Sequence, residues 1–140
     1  MNERRIHLLD TSTWVLMYRR DPPVAVAQRV EELIRERLAA SNSVVELELV
    51  VGCRTPDEMS QVRTNLASLQ DLQILQSTWN RAASLGFELR RVGITTSVPD
   101  LLIATSAIEH DAILLHVDGD FDEIAKHSNL RVESYLDIAN

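Results

Sequence analysis

Asp10, Asp100, Asp118 and Asp120 are the residues whose types and positions could support chemistry in this chain. Asp10 closes the apolar run Ile6-His7-Leu8-Leu9, and Asp118 and Asp120 lie just past Ala112-Ile113-Leu114-Leu115. Asp100 stands three residues after Ser97, at the start of a helical stretch. In open parallel sheets, ligands bind outside the carboxyl ends of the strands, so such positions collect on one edge. Carboxylates gathered there repel one another unless cations neutralise them, and hard divalent ions such as Mg2+ or Mn2+ suit oxygen ligands. Each residue also has a purely structural role open to it. Asp10 can cap a helix, Asp100 can complete a Ser-x-x-Asp capping arrangement with Ser97, and Asp118-Gly119-Asp120 can be an ordinary turn. Residue types alone therefore lead to an acidic site in an α/β domain and no further. Competing chemistries lack their parts: there is no phosphate-binding glycine loop, nucleophile elbow or Cys/His pair. Cys53 is the single cysteine, which rules out an internal disulfide or a thiolate zinc cluster and reads as a buried structural thiol in a reduced protein.

The elements that must position these aspartates follow from periodicity. The chain has 140 residues, 45% hydrophobic and 25% charged, which is one domain's worth of ordinary globular composition, expected to span 1–140. Met1-Asn2-Glu3-Arg4-Arg5 leads straight into the first apolar run, leaving no room for a signal peptide, and nothing approaches the ~18 apolar residues of a membrane span. A soluble cytoplasmic protein with no membrane partner is expected. Ile6–Leu9 reads as a buried strand followed by a helix through Trp14, Val15 and Met17. Pro22-Pro23 opens a helix with Val26, Val30, Leu33, Ile34 and Leu38 on one stripe. Further helices are expected over about 57–68, 77–91, 98–110 and 121–126, with strands at 112–115 and 130–132. Gly86 is the one glycine not at an element edge or turn. Strands alternating with helices imply a three-layer α/β/α arrangement around a mainly parallel sheet of about four to five short strands. Val44-Val45-Glu46-Leu47-Glu48-Leu49 alternates at period two and would by itself suggest a half-exposed strand.

Leu8-Leu9-Asp10-Thr11-Ser12, Glu48-Leu49-Val50-Val51-Gly52, Val98-Pro99-Asp100-Leu101-Leu102-Ile103-Ala104 and Asp118-Gly119-Asp120-Phe121 together resemble, in order, the motifs of PIN-domain ribonucleases. The likeness is to the VapC toxins of bacterial VapBC toxin–antitoxin systems, and no single motif is specific. The resemblance implies that Asp10, Glu48, Asp100 and Asp118 form a metal-binding acidic set, with Asp120 a fifth member or a supporting carboxylate. It also implies that 44–52 is a helix. Glu46 and Glu48 would then be about 200° apart, so only one reaches the site; the family pattern selects Glu48, four residues before Gly52. His116 departs from the pattern, since relatives often carry a small hydroxyl residue two positions before the fourth acid. A histidine at a strand end is more often structural, but here it could touch substrate. His7, His110 and His127 show no ligand spacing.

The implied activity is a two-metal endoribonuclease cutting RNA, with Mg2+ or Mn2+, up to two ions per site, and no protein nucleophile. A cognate VapB-type antitoxin and a homodimer are implied as partners. The net charge of −7 speaks against a broad basic face for nucleic acid, so phosphate contacts must be local. Arg19-Arg20, Arg54 and Arg90-Arg91 are the candidates, against the plainer reading of solvated surface; Trp14 and Trp79 could stack bases, though packing is the plainer role. Two rivals remain. A receiver-like Mg2+-binding signalling domain needs a lysine near its last strand, and the only lysine is Lys126 in an expected helix. A PIN-like module that binds RNA or protein without cutting would have no need of so full an acidic set.

Overall fold

Strands β1 (His7–Leu9), β2 (Ala39–Ser41), β3 (Gln70–Asp71), β4 (Ile113–His116) and β5 (Arg131–Ser134) form one sheet in the order β3-β2-β1-β4-β5. All four pairings are parallel. The computed structural model describes residues 4–139. Residues 1–3 and 140, which the expected domain span and the short-leader reading include, lie outside the described residues. β1 and β4 are buried at every position, as strands covered on both faces must be, and this is why they read as continuous apolar runs.

The helices are α1 (Thr11–Met17), α2 (Val24–Arg35), α3 (Ser43–Val51), α4 (Pro56–Ala67), α5 (Gln76–Arg91), α6 (Val98–Glu109), α7 (Gly119–Lys126) and α8 (Leu136–Ala139). From β1 the chain steps outward through β2 to β3, then returns across the sheet to β4 and β5. Right-handed crossovers running in opposite directions place their helices on opposite faces, which gives the three layers. The reversal leaves a crevice between β1 and β4, the strands that precede Asp10 and Asp118.

β2 and β3 were not legible as strands. Ala39-Ala40-Ser41 and Gln70-Asp71 are too short and too weakly apolar to show a period, and only their pairing with β1 and with each other defines them. α2 buries Val26, Val30 and Leu33, but Ile34 faces solvent, and Leu38 lies past the helix end, beyond the left-handed Arg37 (φ 60°). α6 buries six consecutive residues, Leu102 to Ala107, because it is covered on several sides. α5 packs antiparallel to it: Gly86 lies against Leu101, and Arg81 Nη1 lies 3.5 Å from Glu109 Oε2. A Cβ at Gly86 would stand 2.8 Å from Leu101 Cδ1, so close helix approach explains a glycine in mid-helix.

One ionic knot ties α2, β1 and β5 together. Arg29 Nε and Nη2 donate to Glu133 Oε2 and Oε1 at 2.9 and 3.2 Å, and Tyr135 Oη donates to Oε2 at 2.8 Å. Buried His7 places Nε2 3.2 Å from Oε1. Burial opposes ionisation of Glu133, but hydrogen bonds from His7, Arg29 and Tyr135 outweigh it and hold the carboxyl at about 2. A depressed folded-state pKa gives stability that is present above the unfolded value and is lost as pH falls through about 2. Glu133→Gln is expected to cost about 1–3 kcal/mol at pH 7, after discounting for partial solvent screening. Urea denaturation from pH 7 to pH 2 checks this: the gap between variant and parent should close below about pH 4, and a gap independent of pH would refute it.

Candidate active site

Register brings Asp10 and Asp118 together. Leu9 pairs with Leu115, and beyond that pair the Asp10 N–H donates to the Leu115 carbonyl at 3.0 Å. Thr13 Oγ1 donates to the same carbonyl at 2.9 Å, and the Val117 N–H donates to Ser12 Oγ at 3.1 Å. Ser12 in turn donates its N–H (3.0 Å) and its hydroxyl to Asp10 Oδ2. The β1–α1 turn is thus stitched to the end of β4 through main chain and hydroxyls.

The segment that alternates at period two is a helix because Asn42 caps it, Oδ1 accepting the N–H groups of Val44 and Val45 at 3.1 and 3.0 Å. Its two glutamates separate as helical geometry requires. Glu48 faces the β1–β4 crevice, where Thr11 Oγ1 donates to its Oε1 at 2.7 Å. Glu46 lines a different hollow, with Ser41, Asn42 and Asp71. Ser97 caps α6, accepting the Asp100 N–H at 3.3 Å, and Asp118 caps α7, its Oδ1 accepting the Asp120 N–H at 3.0 Å. The capping roles that made each aspartate ambiguous are therefore real for Asp10 and Asp118, and capping engages only one oxygen of each carboxylate.

Asp10, Glu48, Asp100 and Asp118 line one recess of about 420 Å³, together with Thr11, Ser12 and Val117, and Arg19 is its one basic wall residue. Asp120 does not line it. Asp120 is exposed and belongs to an overlapping group in which Asp100, Asp118 and Asp120 each offer an oxygen within 4.8 Å of the others. Burial, then the charges of Asp10 and Asp118, push Asp100 up to about 6. Burial also raises Asp10, against the hydrogen bonds from Ser12. The donor set suits a hard divalent cation: all oxygen, crowded, and costly to ionise without one. Among the described residues, Glu48 Oε2 and Asp118 Oδ2 accept no hydrogen bond, so these two carboxylates are each oriented by one oxygen and have the other available.

His116 is fully buried and so cannot meet substrate in this form. Its Nδ1 accepts the Asp118 N–H at 3.0 Å, and its Nε2 lies 3.2 Å from Asp122 Oδ1. Burial lowers its pKa, which keeps the ring neutral and Nδ1 able to accept. His116 positions the turn that carries Asp118. Thr11 and Ser12, which the sequence offers only as the residues after Asp10 in the first motif, are the other positioning residues. The signal for them was their place directly after Asp10, but nothing local indicated that Thr11 reaches Glu48, 37 residues away. Trp14 is buried and stacks on Tyr18 at 5.9 Å, which removes it as a base platform, whereas Trp79 is exposed.

The fold and site define an α/β/α protein with an acidic recess at the switch point between β1 and β4. Residues 7–127 match the PIN domain family model, and the chain belongs to the PIN-domain family. It is 32% identical over 132 residues to Ribonuclease VapC11 of Mycobacterium tuberculosis, covering 91% of this chain and 98% of that protein. Ribonuclease VapC51 of the same organism is 32% identical over 120 residues, 85% of each chain. Among solved structures, VapBC2 from Rickettsia felis, bound to a DNA fragment from their promoter, matches with TM-score 0.78 and 25% identity over 93% of this chain and 98% of that one. DNA-bound VapBC from Salmonella typhimurium shares the fold, with TM-score 0.78 and 19% identity over 93% and 98%. The receiver-like alternative falls away, and the lysine it would need, Lys126, pairs with Glu123 at 3.0 Å on α7.

Asp100 gives a test of the electrostatics that needs no substrate. An acid whose folded pKa is raised loses stability as pH rises through that value, here about 6, so the metal-free chain carries a cost at pH 7.5. Asp100→Asn should therefore melt higher than the parent in EDTA at pH 7.5, by a few degrees, for roughly 1 kcal/mol after screening at a half-exposed site. The difference should vanish near pH 4. An equal or lower melting temperature at pH 7.5 would show that burial and the neighbouring carboxylates do not oppose ionisation of Asp100.

Proposed function

We propose that this chain is a cytoplasmic VapC-type endoribonuclease that hydrolyses RNA phosphodiester bonds with Mg2+ or Mn2+ and is held in check by a VapB-type antitoxin. The observation that carries this is the convergence of Asp10, Glu48, Asp100 and Asp118, from four separated segments, on one recess that Arg19 also lines. The RNA substrate rests on the names of the relatives at 32% identity. The two overlapping acidic groups share Asp100 and Asp118, which supports up to two ion positions, one toward Asp10 and Glu48 and the other toward Asp120. Divalent ions bound there would polarise water for attack and neutralise charge developing on the scissile phosphate. The chain's own work is geometric. Ser12 and Thr11 fix Asp10 and Glu48, His116 fixes the Asp118 turn, and Arg19 offers a phosphate contact at the rim.

A groove of about 500 Å³ between α1, α3 and α4 opens beside the recess and shares Val15 and Glu48 with it. Its walls include Val15, Tyr18, Leu49 and Val62. That continuity supports an antitoxin segment lying in the groove and reaching the acidic site, as do the VapBC complexes among the structural neighbours. Exposed Leu47 and Val51, one turn apart on α3, and Val98 on α6 support a homodimer.

Purified protein should cut single-stranded RNA in Mg2+ or Mn2+ and not in EDTA. Asp10→Asn and Glu48→Gln should each lose at least about a hundredfold in kcat/KM, the scale of removing a metal ligand. Glu46→Gln should stay within about threefold of the parent, since Glu46 lines another hollow. Undiminished cleavage in EDTA would exclude the metal-dependent reading. Tight RNA binding without cleavage would favour a non-catalytic PIN-like module.

A further inference from the structure

The last turn of α5 carries a feature that neither folding nor the acidic recess requires. Phe87 is 61% exposed, and the Arg91 guanidinium carbon stands 5.8 Å from its ring centroid. Arg90 is exposed beside them, and among the described residues neither arginine has a carboxylate within ion-pair distance. Arginines in a last turn complement the negative end of the helix dipole, which accounts for their charge. It does not account for an exposed phenylalanine beneath one of them. The spacing of four residues puts Phe87 and Arg91 on the same side of the helix, one turn apart.

The position of this pair is set by the α5–α6 packing. Because Gly86 abuts Leu101, and Arg81 meets Glu109 at the far end, the C-terminal turn of α5 lies beside the first turn of α6, which carries Asp100. With helix axes typically about 8–10 Å apart, the backbone of this turn is a neighbour of the turn that bears Asp100. A chain of net charge −7 must meet phosphates through local positive groups. An arginine lying over an aromatic ring, with a second arginine adjacent, is the combination that stacks an unpaired base and contacts its backbone.

We propose that Phe87 and Arg91, assisted by Arg90, form a subsite for single-stranded RNA flanking the bond cut in the acidic recess. This rests on the nuclease reading above. The subsite takes an unpaired base on the Phe87–Arg91 stack, with Arg90 beside it to meet the backbone. Duplexed bases offer no free face to it, so the subsite selects unpaired RNA on one side of the cut.

The test is binding of a fluorescein-labelled, unstructured RNA of about a dozen nucleotides, followed by anisotropy with Ca2+ replacing Mg2+. Phe87→Ala should weaken binding about tenfold, while Phe87→Trp should keep it within about threefold, because a larger ring preserves the stack. Arg90→Ala/Arg91→Ala should weaken binding and lower the slope of log K against log salt by about 1.4, as expected for two lost single-strand phosphate contacts. Melting temperature and Mn2+ affinity should be unchanged in all three, since the side chains are exposed and outside the acidic set. Parental affinity and salt slope in Phe87→Ala and the double variant, with RNA still cut by the parent, would overturn the subsite and leave the nuclease reading intact. A parent that neither binds nor cuts RNA would overturn both. A change in sedimentation from dimer to monomer in Phe87→Ala would show that this face pairs two copies of the chain, and would also overturn the subsite.

Discussion

Mutual repulsion among carboxylates held in a half-buried recess is the constraint on which the rest of this structure turns. Burial in the recess, and then the charges of Asp10 and Asp118, push the ionisation of Asp100 up to about 6. A fold that assembles such a group gives up stability at neutral pH to do so. The cost is met by features remote from the recess: a sheet whose central strands are buried throughout, a central helix buried on several sides, and the Arg29–Glu133 knot at the β5 edge. Stability and chemistry are thus separated in space, with apolar burial through the middle layer and unrelieved charge at the carboxyl edge.

Holding the acids in place relies on hydroxyls, main-chain groups and a neutral imidazole, with no cation among their direct hydrogen-bond partners in the described residues. Thr11, Ser12, Ser97 and His116 each make one hydrogen bond or more that orients an acid or the turn bearing it. A lysine or arginine in those places would neutralise the cluster and lower its pull on an external cation. The scaffold therefore fixes geometry while leaving the charge uncompensated, the condition under which divalent ions become the best counter-charge. His116 fits this pattern. Its burial keeps it neutral, so it accepts a main-chain N–H where a protonated ring would compete for the carboxylates.

The surface around the recess is uneven in character. On the α1–α3–α4 side an apolar groove opens directly onto Glu48, and the last turn of α5 carries an exposed aromatic ring with arginines beside it. A strongly acidic chain that acts on a polyanion must meet it in few places, so each such local feature has more consequence here than on a basic protein.

Sequence alone determined the elements whose periods are long or whose ends carry strong caps. The apolar β1 and β4, the stripe of α2, Ser97 and Pro99 at the start of α6, and the aspartates after each central strand were all legible, because they arise from local preferences and burial. The ordered motifs supplied the family. What sequence could not decide was anything set by partners distant along the chain. β2 and β3 exist only through pairing, and Gly86 is explained only by Leu101. The segment containing Glu46 and Glu48 has the alternation of a strand and becomes a helix through its Asn42 cap and its packing. Which glutamate enters the recess was suggested by a family pattern, but its geometric cause, the Thr11 hydroxyl on Glu48, is a contact across 37 residues. Local sequence can place a carboxylate at the end of a strand. Only tertiary packing decides which carboxylates share a recess, because their mutual distances depend on strand order and helix crossing, which no local window of residues encodes.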